Sequence, residues 1–235
     1  MERSRMTVPK QYTCADVERA ITNNARFVHV NATPLIAYLD GFVSEQDCAD
    51  IIALARDRMT RASVSGSSGG KFSEGRTNSV AWIPHAETPR LHEIAGSICD
   101  LMGMPLEHAE NFQVIHYPPG TQYRAHFDAY DLQTATGIRT LQRGGQRIST
   151  TLCYLNFVES GGGTGFPKLD LEITPRPGRL VVFNNCEADQ MERSNLSLHA
   201  GNPVKAGEKW AFNLWFRQYP RSYNPYAEVQ QDQAH

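Results

Sequence analysis

The chain has 235 residues, 40% of them hydrophobic and 20% charged, which is enough apolar material for one soluble domain with a sizeable core. Its formal net charge of -2 supplies none of the basic field that nucleic-acid binders use. No apolar stretch is long enough to span a bilayer, and the first residues carry no run of signal-peptide length.

Residues 1–33 are polar without a clear period and read as a flexible lead-in ahead of a domain over 34–220 and a C-terminal tail over 221–235. Pro34–Asp40 reads as a strand. Ser44-Glu-Gln-Asp47 forms a capping box, and apolar residues at Cys48, Ile51, Ile52, Leu54 and Ala55 continue it as a helix. Residues 63–75, rich in Gly and Ser, read as a loop. Thr88-Pro89 starts a second helix, with Leu91, Ile94, Ala95, Ile98 and Leu101 at helical spacing and Gly103 to close it.

Beyond residue 110 the period changes. Apolar β-type runs appear at 112–117, 148–157, 180–184 and 210–217, separated by Pro118-Pro-Gly120, Gly161-Gly-Gly163, Pro175-Arg-Pro-Gly178 and Gly201-Asn-Pro203. Helices first and short strands later imply an α+β chain whose C-terminal half is a sandwich or barrel. The five cysteines are an odd number without a Cys-x-x-Cys pair. They argue against a disulfide framework or a thiolate zinc site, and for a reducing, cytoplasmic setting.

His126-Phe-Asp128 places an imidazole and a carboxylate two residues apart, on one face if the segment is a strand. His199 lies at a strand end, in Ser-Leu-His-Ala-Gly. Two histidines and a carboxylate leave adjacent coordination positions open, the mark of non-heme iron(II) oxygenases. The same trio could hold zinc. The pair alone is a weak signal, because His85-Ala-Glu87 and His108-Ala-Glu110 mimic it beside cap and loop signals. Ten residues past His199, Lys209 opens the apolar run Trp210–Phe216. A cation there is costly unless an anion meets it, and a dicarboxylate would supply one. A lysine at a strand's start could also reach to the surface.

Over about residues 34–218 the chain resembles the prolyl 4-hydroxylase branch of the Fe(II)/2-oxoglutarate-dependent dioxygenases. The likeness rests on Arg76-Thr-Asn78, Gln113-Val-Ile-His-Tyr-Pro-Pro-Gly120, Tyr123-Arg-Ala-His-Phe-Asp128, Gly145-Gln-Arg-Ile148, Tyr154-Leu-Asn156 and Gly162-Gly-Thr-Gly-Phe-Pro167. Ser197-Leu-His-Ala-Gly201 and Gly207-Glu-Lys-Trp210 complete it. It implies a double-stranded β-helix, the jelly-roll barrel, with N-terminal supporting helices. It implies His126, Asp128 and His199 as iron ligands and Lys209 as the partner of the far carboxylate of 2-oxoglutarate. Tyr117 and Thr164 fall where the family hydrogen-bonds that co-substrate. Tyr123, Arg147 and Trp215 fall where it meets its substrate, Tyr123 close to the catalytic residues. Glu110 aligns with a further substrate-side position, and the segment of Arg76 and Trp82 resembles a lid.

The implied reaction uses dioxygen, with ascorbate as reductant, and hydroxylates a prolyl residue of a peptide or protein. A free imino or amino acid is the alternative substrate, and a non-catalytic jelly-roll binding module the alternative of another class. A nucleic-acid demethylase of the superfamily fits poorly, since those carry arginines after the distal histidine where this chain has Lys209. Asp128 is the carboxylate that related halogenases lack, so its presence implies hydroxylation. The chain departs from the family in a long polar loop between Asp128 and Arg147, and in Arg217, where a less bulky or histidine-like group is expected.

Overall fold

The computed structural model describes residues 8–63, 74–188 and 191–226. Residues 64–73, most of the Gly- and Ser-rich segment, and 227–235 of the tail lie outside them. The elements run α1 (Cys14–Thr22), β1 (Val28–Asn31), β2 (Ile36–Leu39), α2 (Glu45–Arg56), β3 (Thr60–Arg61), β4 (Ser79–Ile83), α3 (Pro89–Met102), β5 (Phe112–Tyr117) and β6 (Tyr123–His126). There follow α4 (Ala135–Leu141), β7 (Arg147–Tyr154), β8 (Ser160–Gly161), β9 (Thr164–Phe166), β10 (Leu171–Ile173), β11 (Leu180–Asn184), β12 (His199–Gly201), β13 (Val204–Ala206) and β14 (Lys209–Arg217).

Among the described residues the strands form a large sheet ordered β1-β2-β11-β7-β14-β5-β4-β3, a smaller one ordered β10-β9-β12-β6, and the pair β13-β8. This is the jelly roll that the sequence implies. The pairings among these strands are antiparallel, and the central strands β7, β11 and β14 are buried on both faces. On β14 the alternation is complete. Trp210, Phe212, Leu214 and Phe216 enter the core beneath the helices, with Phe112 and Val114 of β5. Lys209, Ala211, Asn213 and Trp215 take the opposite face.

The helices follow local rules. The Ser44 hydroxyl accepts from the Asp47 N–H at 3.1 Å and starts α2. The Thr88 hydroxyl accepts from the Leu91 N–H at 3.1 Å and starts α3, and Gly103 ends it in the left-handed conformation (φ +63°).

Two segments differ from the sequence reading. The lead-in over 1–33 holds α1, whose Cys14, Val17 and Ile21 enter the same core as α2 and α3. Nine residues with three buried apolar positions make too brief a pattern to stand out, although Thr13 and Asp16 form a capping box. The polar loop between Asp128 and Arg147 holds α4, started by the Thr134 hydroxyl accepting from the Gly137 N–H at 3.0 Å. Gly137 is required here: a Cβ on it would stand 1.9 Å from the Asp131 carbonyl oxygen.

Phe212 is fully buried and meets Phe112 edge-on, ring centroids 5.0 Å apart, on the face of β14 away from the cavity. Phe212→Ala is expected to lower unfolding free energy by about 3–5 kcal/mol. The urea midpoint in equilibrium denaturation measures it.

Candidate metal centre and cavities

β6 and β12 pair so that His126 stands directly opposite His199. Asp128 lies two residues past the end of β6 rather than on it, yet its carboxylate reaches the same point. Ligand atoms of the three side chains all lie within 4.8 Å of one another. His126 Nε2 is 3.7 Å from Asp128 Oδ1, and His199 Nε2 is 3.5 Å from Asp128 Oδ2.

The outward nitrogens are already committed. His126 Nδ1 meets the Arg124 carbonyl at 2.9 Å, and His199 Nδ1 meets the Ser197 carbonyl at 2.9 Å. A carbonyl only accepts, so each Nδ1 carries the proton and each Nε2 lone pair faces the centre.

Burial, then the neighbouring His199, pushes the His126 imidazole down to about 3. Burial alone would push the Asp128 carboxyl up, but His199, His126 and Arg147 outweigh it and hold it at about 2. Neutral imidazole and ionised carboxylate are the forms that bind a cation, so these residues fit a divalent metal. The Trp215 indole N–H lies near the same carboxylate without closing a hydrogen bond.

Two cavities meet at this centre. The narrower is lined by Tyr117, Thr164, His199, Gly201, Lys209 and Asn213. Lys209 is 1% exposed, and no ion pair reaches it among the described residues. Its ammonium sits over the Tyr117 and Tyr154 rings, at 5.0 and 5.2 Å from their centroids. Burial pushes it down to about 7. The Thr164 and Tyr154 hydroxyls are 2.7 Å apart. Gly201 leaves room for Tyr117, since a Cβ there would stand 3.0 Å from the phenol oxygen.

The wider cavity, of about 940 Å³, opens outward from His126 and Asp128 between Trp82, Trp215, Tyr123, Arg76, Arg147 and α4. Trp82, 49% exposed, tilts against Trp215 at 5.8 Å. Arg147 lies 3.8 Å over Trp215, and Arg76 lies 4.5 Å over Tyr123. Tyr123 stacks on His126 at 3.5 Å.

Arg147 reaches this wall through an irregularity. Pairing of β14 with β7 runs Phe216↔Ser149 and then Arg217↔Arg147, so one extra residue on β7 turns Arg147 to the face of Thr150 and Leu152.

Two of the residues named from the sequence stand elsewhere than expected. Glu110 does not line the cavity. It lies behind it, with Arg147 donating from Nε and Nη2 at 2.6 and 2.8 Å and Arg217 donating from Nε at 2.7 Å. Burial would raise its carboxyl, but Arg147 and then Arg217 outweigh that and hold it at about 2. Trp82 is not on a lid: it sits in β4, opposite Gln113 of β5. Arg76, just ahead of β4, bridges to Tyr123.

The sequence reading missed Asn213, whose buried Oδ1 has no partner among the described residues and which lines both cavities. Its signal was present, because period two from Lys209 gives Asn213 and Trp215.

The family model of the 2OG-Fe(II) oxygenase superfamily matches residues 112–217. Probable prolyl 4-hydroxylase 4 of Arabidopsis thaliana is 32% identical over 216 residues, taking in 82% of this chain and 70% of that protein. Among solved structures, the viral collagen prolyl hydroxylase of Paramecium bursaria Chlorella virus-1 in complex with 2OG aligns with a TM-score of 0.62 at 27% identity, over 77% of this chain and 95% of the other. A prolyl hydroxylase in complex with a hypoxia inducible factor oxygen degradation domain peptide fragment, from Trichoplax adhaerens, shares the fold at 17% identity and a TM-score of 0.59, over 86% of this chain and 87% of that one.

The Lys209 shift has a measurable sign. Its ammonium stands at about 7 in the folded chain against an ordinary 10.5, so between these values the unfolded chain binds more protons. With co-substrate absent, stability is expected to rise with pH across that window. Lys209→Met is expected to flatten the rise and to raise the melting temperature at pH 7, as thermal denaturation across pH reads directly.

Proposed function

We propose that this chain, which belongs to the 2OG-Fe(II) oxygenase superfamily in its prolyl 4-hydroxylase-like branch, hydroxylates prolyl residues within a peptide or protein. The observation that carries the reading is the meeting of two unlike cavities at one triad. One ends on a buried ammonium with no ion-pair partner among the described residues, and the other is wide and walled by aromatic rings.

His126, Asp128 and His199 would hold iron(II). Lys209, Tyr117 and Thr164 would hold 2-oxoglutarate, Lys209 taking its far carboxylate in a charge-assisted contact that restores the ammonium's charge. Bound there, the metal and co-substrate supply the oxidising power, with dioxygen consumed and succinate and carbon dioxide released. The protein's own part is positioning and exclusion of water. Trp82 and Trp215 offer flat apolar surfaces to a pyrrolidine ring, and Tyr123, stacked on His126, forms the facing wall near the reacting carbon. Arg147, held from behind by Glu110, keeps one guanidinium edge for a backbone carbonyl of the substrate.

The width of the outer cavity favours a peptide. A free imino acid would fill only a small part of about 940 Å³, whereas well-matched ligand sites bury most of the ligand's surface.

The test is turnover with iron(II), 2-oxoglutarate, ascorbate as reductant, and a panel of prolyl peptides beside free proline. Succinate formed in step with one oxygen atom added to a peptide, and not to free proline, is the expected outcome. Asp128→Ala abolishes it, and Lys209→Met removes 2-oxoglutarate binding in calorimetry. Oxygen added to free proline alone would overturn the peptide reading.

A further inference from the structure

We propose that Thr150 and Asn185 are positioning residues for the metal centre, fixing the Asp128 carboxylate so that it serves a cation through a single oxygen. The inference rests on the metal-binding reading above.

Thr150 lies mid-β7, between Phe183 of β11 and Trp215 of β14. Its Oγ1 is 2.9 Å from Asp128 Oδ2, and Asn185 Nδ2 is 2.9 Å from Oγ1. All three side chains are buried. Asn185 Oδ1 is also near, at 3.2 Å, but a hydroxyl has one proton to give. The ionised carboxylate is the closer and stronger acceptor and takes it. The Asn185 amide then donates to the hydroxyl's lone pair and sets its direction.

Asn185 is itself held by the main chain. Its N–H donates to the Ile148 carbonyl at 2.8 Å, and its carbonyl accepts from the Ser194 N–H at 2.9 Å. The Ser197 hydroxyl lies 3.0 Å from that carbonyl and 2.8 Å from the Ser194 carbonyl, between the two. The Ser197 carbonyl in turn accepts from His199 Nδ1 at 2.9 Å. Asp128, Thr150 and Asn185 therefore form one buried hydrogen-bonded run, and the Asn185 carbonyl holds, through the Ser194 N–H, the turn whose Ser197 carbonyl orients His199.

Among the described residues the hydroxyl at position 150 bonds only Asp128 and Asn185. Valine has the same shape and suits a strand at least as well. A carboxylate free to turn about its last bond can offer a cation both oxygens, and the second would take a position that the co-substrate needs. With Oδ2 tied to Thr150, the plane of the carboxylate is set before any cation arrives.

Thr150→Val keeps the shape and removes the hydroxyl, whereas Thr150→Ser restores it. Metal-stripped wild type and variants are titrated calorimetrically with Mn(II), and visible spectra of the Co(II) forms are recorded with and without 2-oxoglutarate. Thr150→Val is expected to lose about 10- to 100-fold in Mn(II) affinity and to alter the Co(II) spectrum, with Thr150→Ser near wild type. Asn185→Ala, which leaves the hydroxyl but releases its direction, is expected to weaken Mn(II) binding less. It provides the same test should Thr150→Val fail to fold by circular dichroism. Wild-type affinity and an unchanged Co(II) spectrum in Asn185→Ala and in folded Thr150→Val would overturn the positioning role alone. A wild type that binds neither ion would overturn the metal reading, and this inference with it.

Discussion

The register of one short strand pair carries the site. β6 and β12 set His126 against His199, with ring centroids 4.4 Å apart. Side chains alternate along a strand, so a slip of one residue in either partner would turn an imidazole to the other face. Strands of four and three residues are too short to hold a register unaided. Their neighbours hold it. β12 pairs on its other side with β9 through Gly165 and Thr164, and Thr164 is fastened to Tyr154 of the large sheet. Tyr123, at the start of β6, is bridged to Arg76. The smaller sheet is thus fastened to the larger one through Thr164, and its edge strand β6 to the segment that leads into β4.

Charge is handled in two different ways around that pair. Behind the wide cavity, Glu110 is shared by Arg147 and Arg217, and Asp128 lies close enough to Arg147 for each to favour the other's charged form. The four charges balance, two carboxylates against two guanidiniums. Arg217, the departure from a histidine-like residue, is part of that balance, since it also donates to the Gly145 carbonyl and the Tyr130 hydroxyl. Lys209 has no such arrangement. It is a buried cation between aromatic rings, and the fold bears its cost because the strand that carries it is locked on both sides by β5 and β7. A protein that gives up stability at one residue does so where a ligand will meet it.

Much of this was legible in the chain. Helices α2 and α3 announce themselves by caps and helical spacing, and β5, β7, β11 and β14 by long apolar runs. Lys209 stands out because a cation interrupts such a run. The histidines and Asp128 needed the surrounding motifs, because His-x-Asp is common by chance. Glu110 was placed on the right side of the molecule but on the wrong side of Arg147, a distinction that only packing makes. Thr150 and Asn185 gave no signal. Their partners are 22 and 35 residues away in sequence, and a threonine in a strand needs no further explanation.

β7 is where these features are brought into one line. Its first residue, Arg147, lies over Trp215 in the wall proposed to hold the substrate; Thr150 lies under Asp128; and its last, Tyr154, fastens Thr164 beside Lys209. At about 3.3 Å per residue the strand carries these functions over roughly 23 Å. The alignment depends on the extra residue near Ile148. In a regular strand Arg147 would share a face with Ser149 and Thr151, whose hydroxyls bond the neighbouring strands' carbonyls at Phe183 and Leu214, and it would point away from the cavity. The bulge turns Arg147 toward Trp215 while leaving Thr150, Leu152 and Tyr154 where the regular pairing puts them. Glu110 and Arg217 then secure the residue that the bulge has turned, so a local fault in one strand becomes the link between the outer wall and the metal floor.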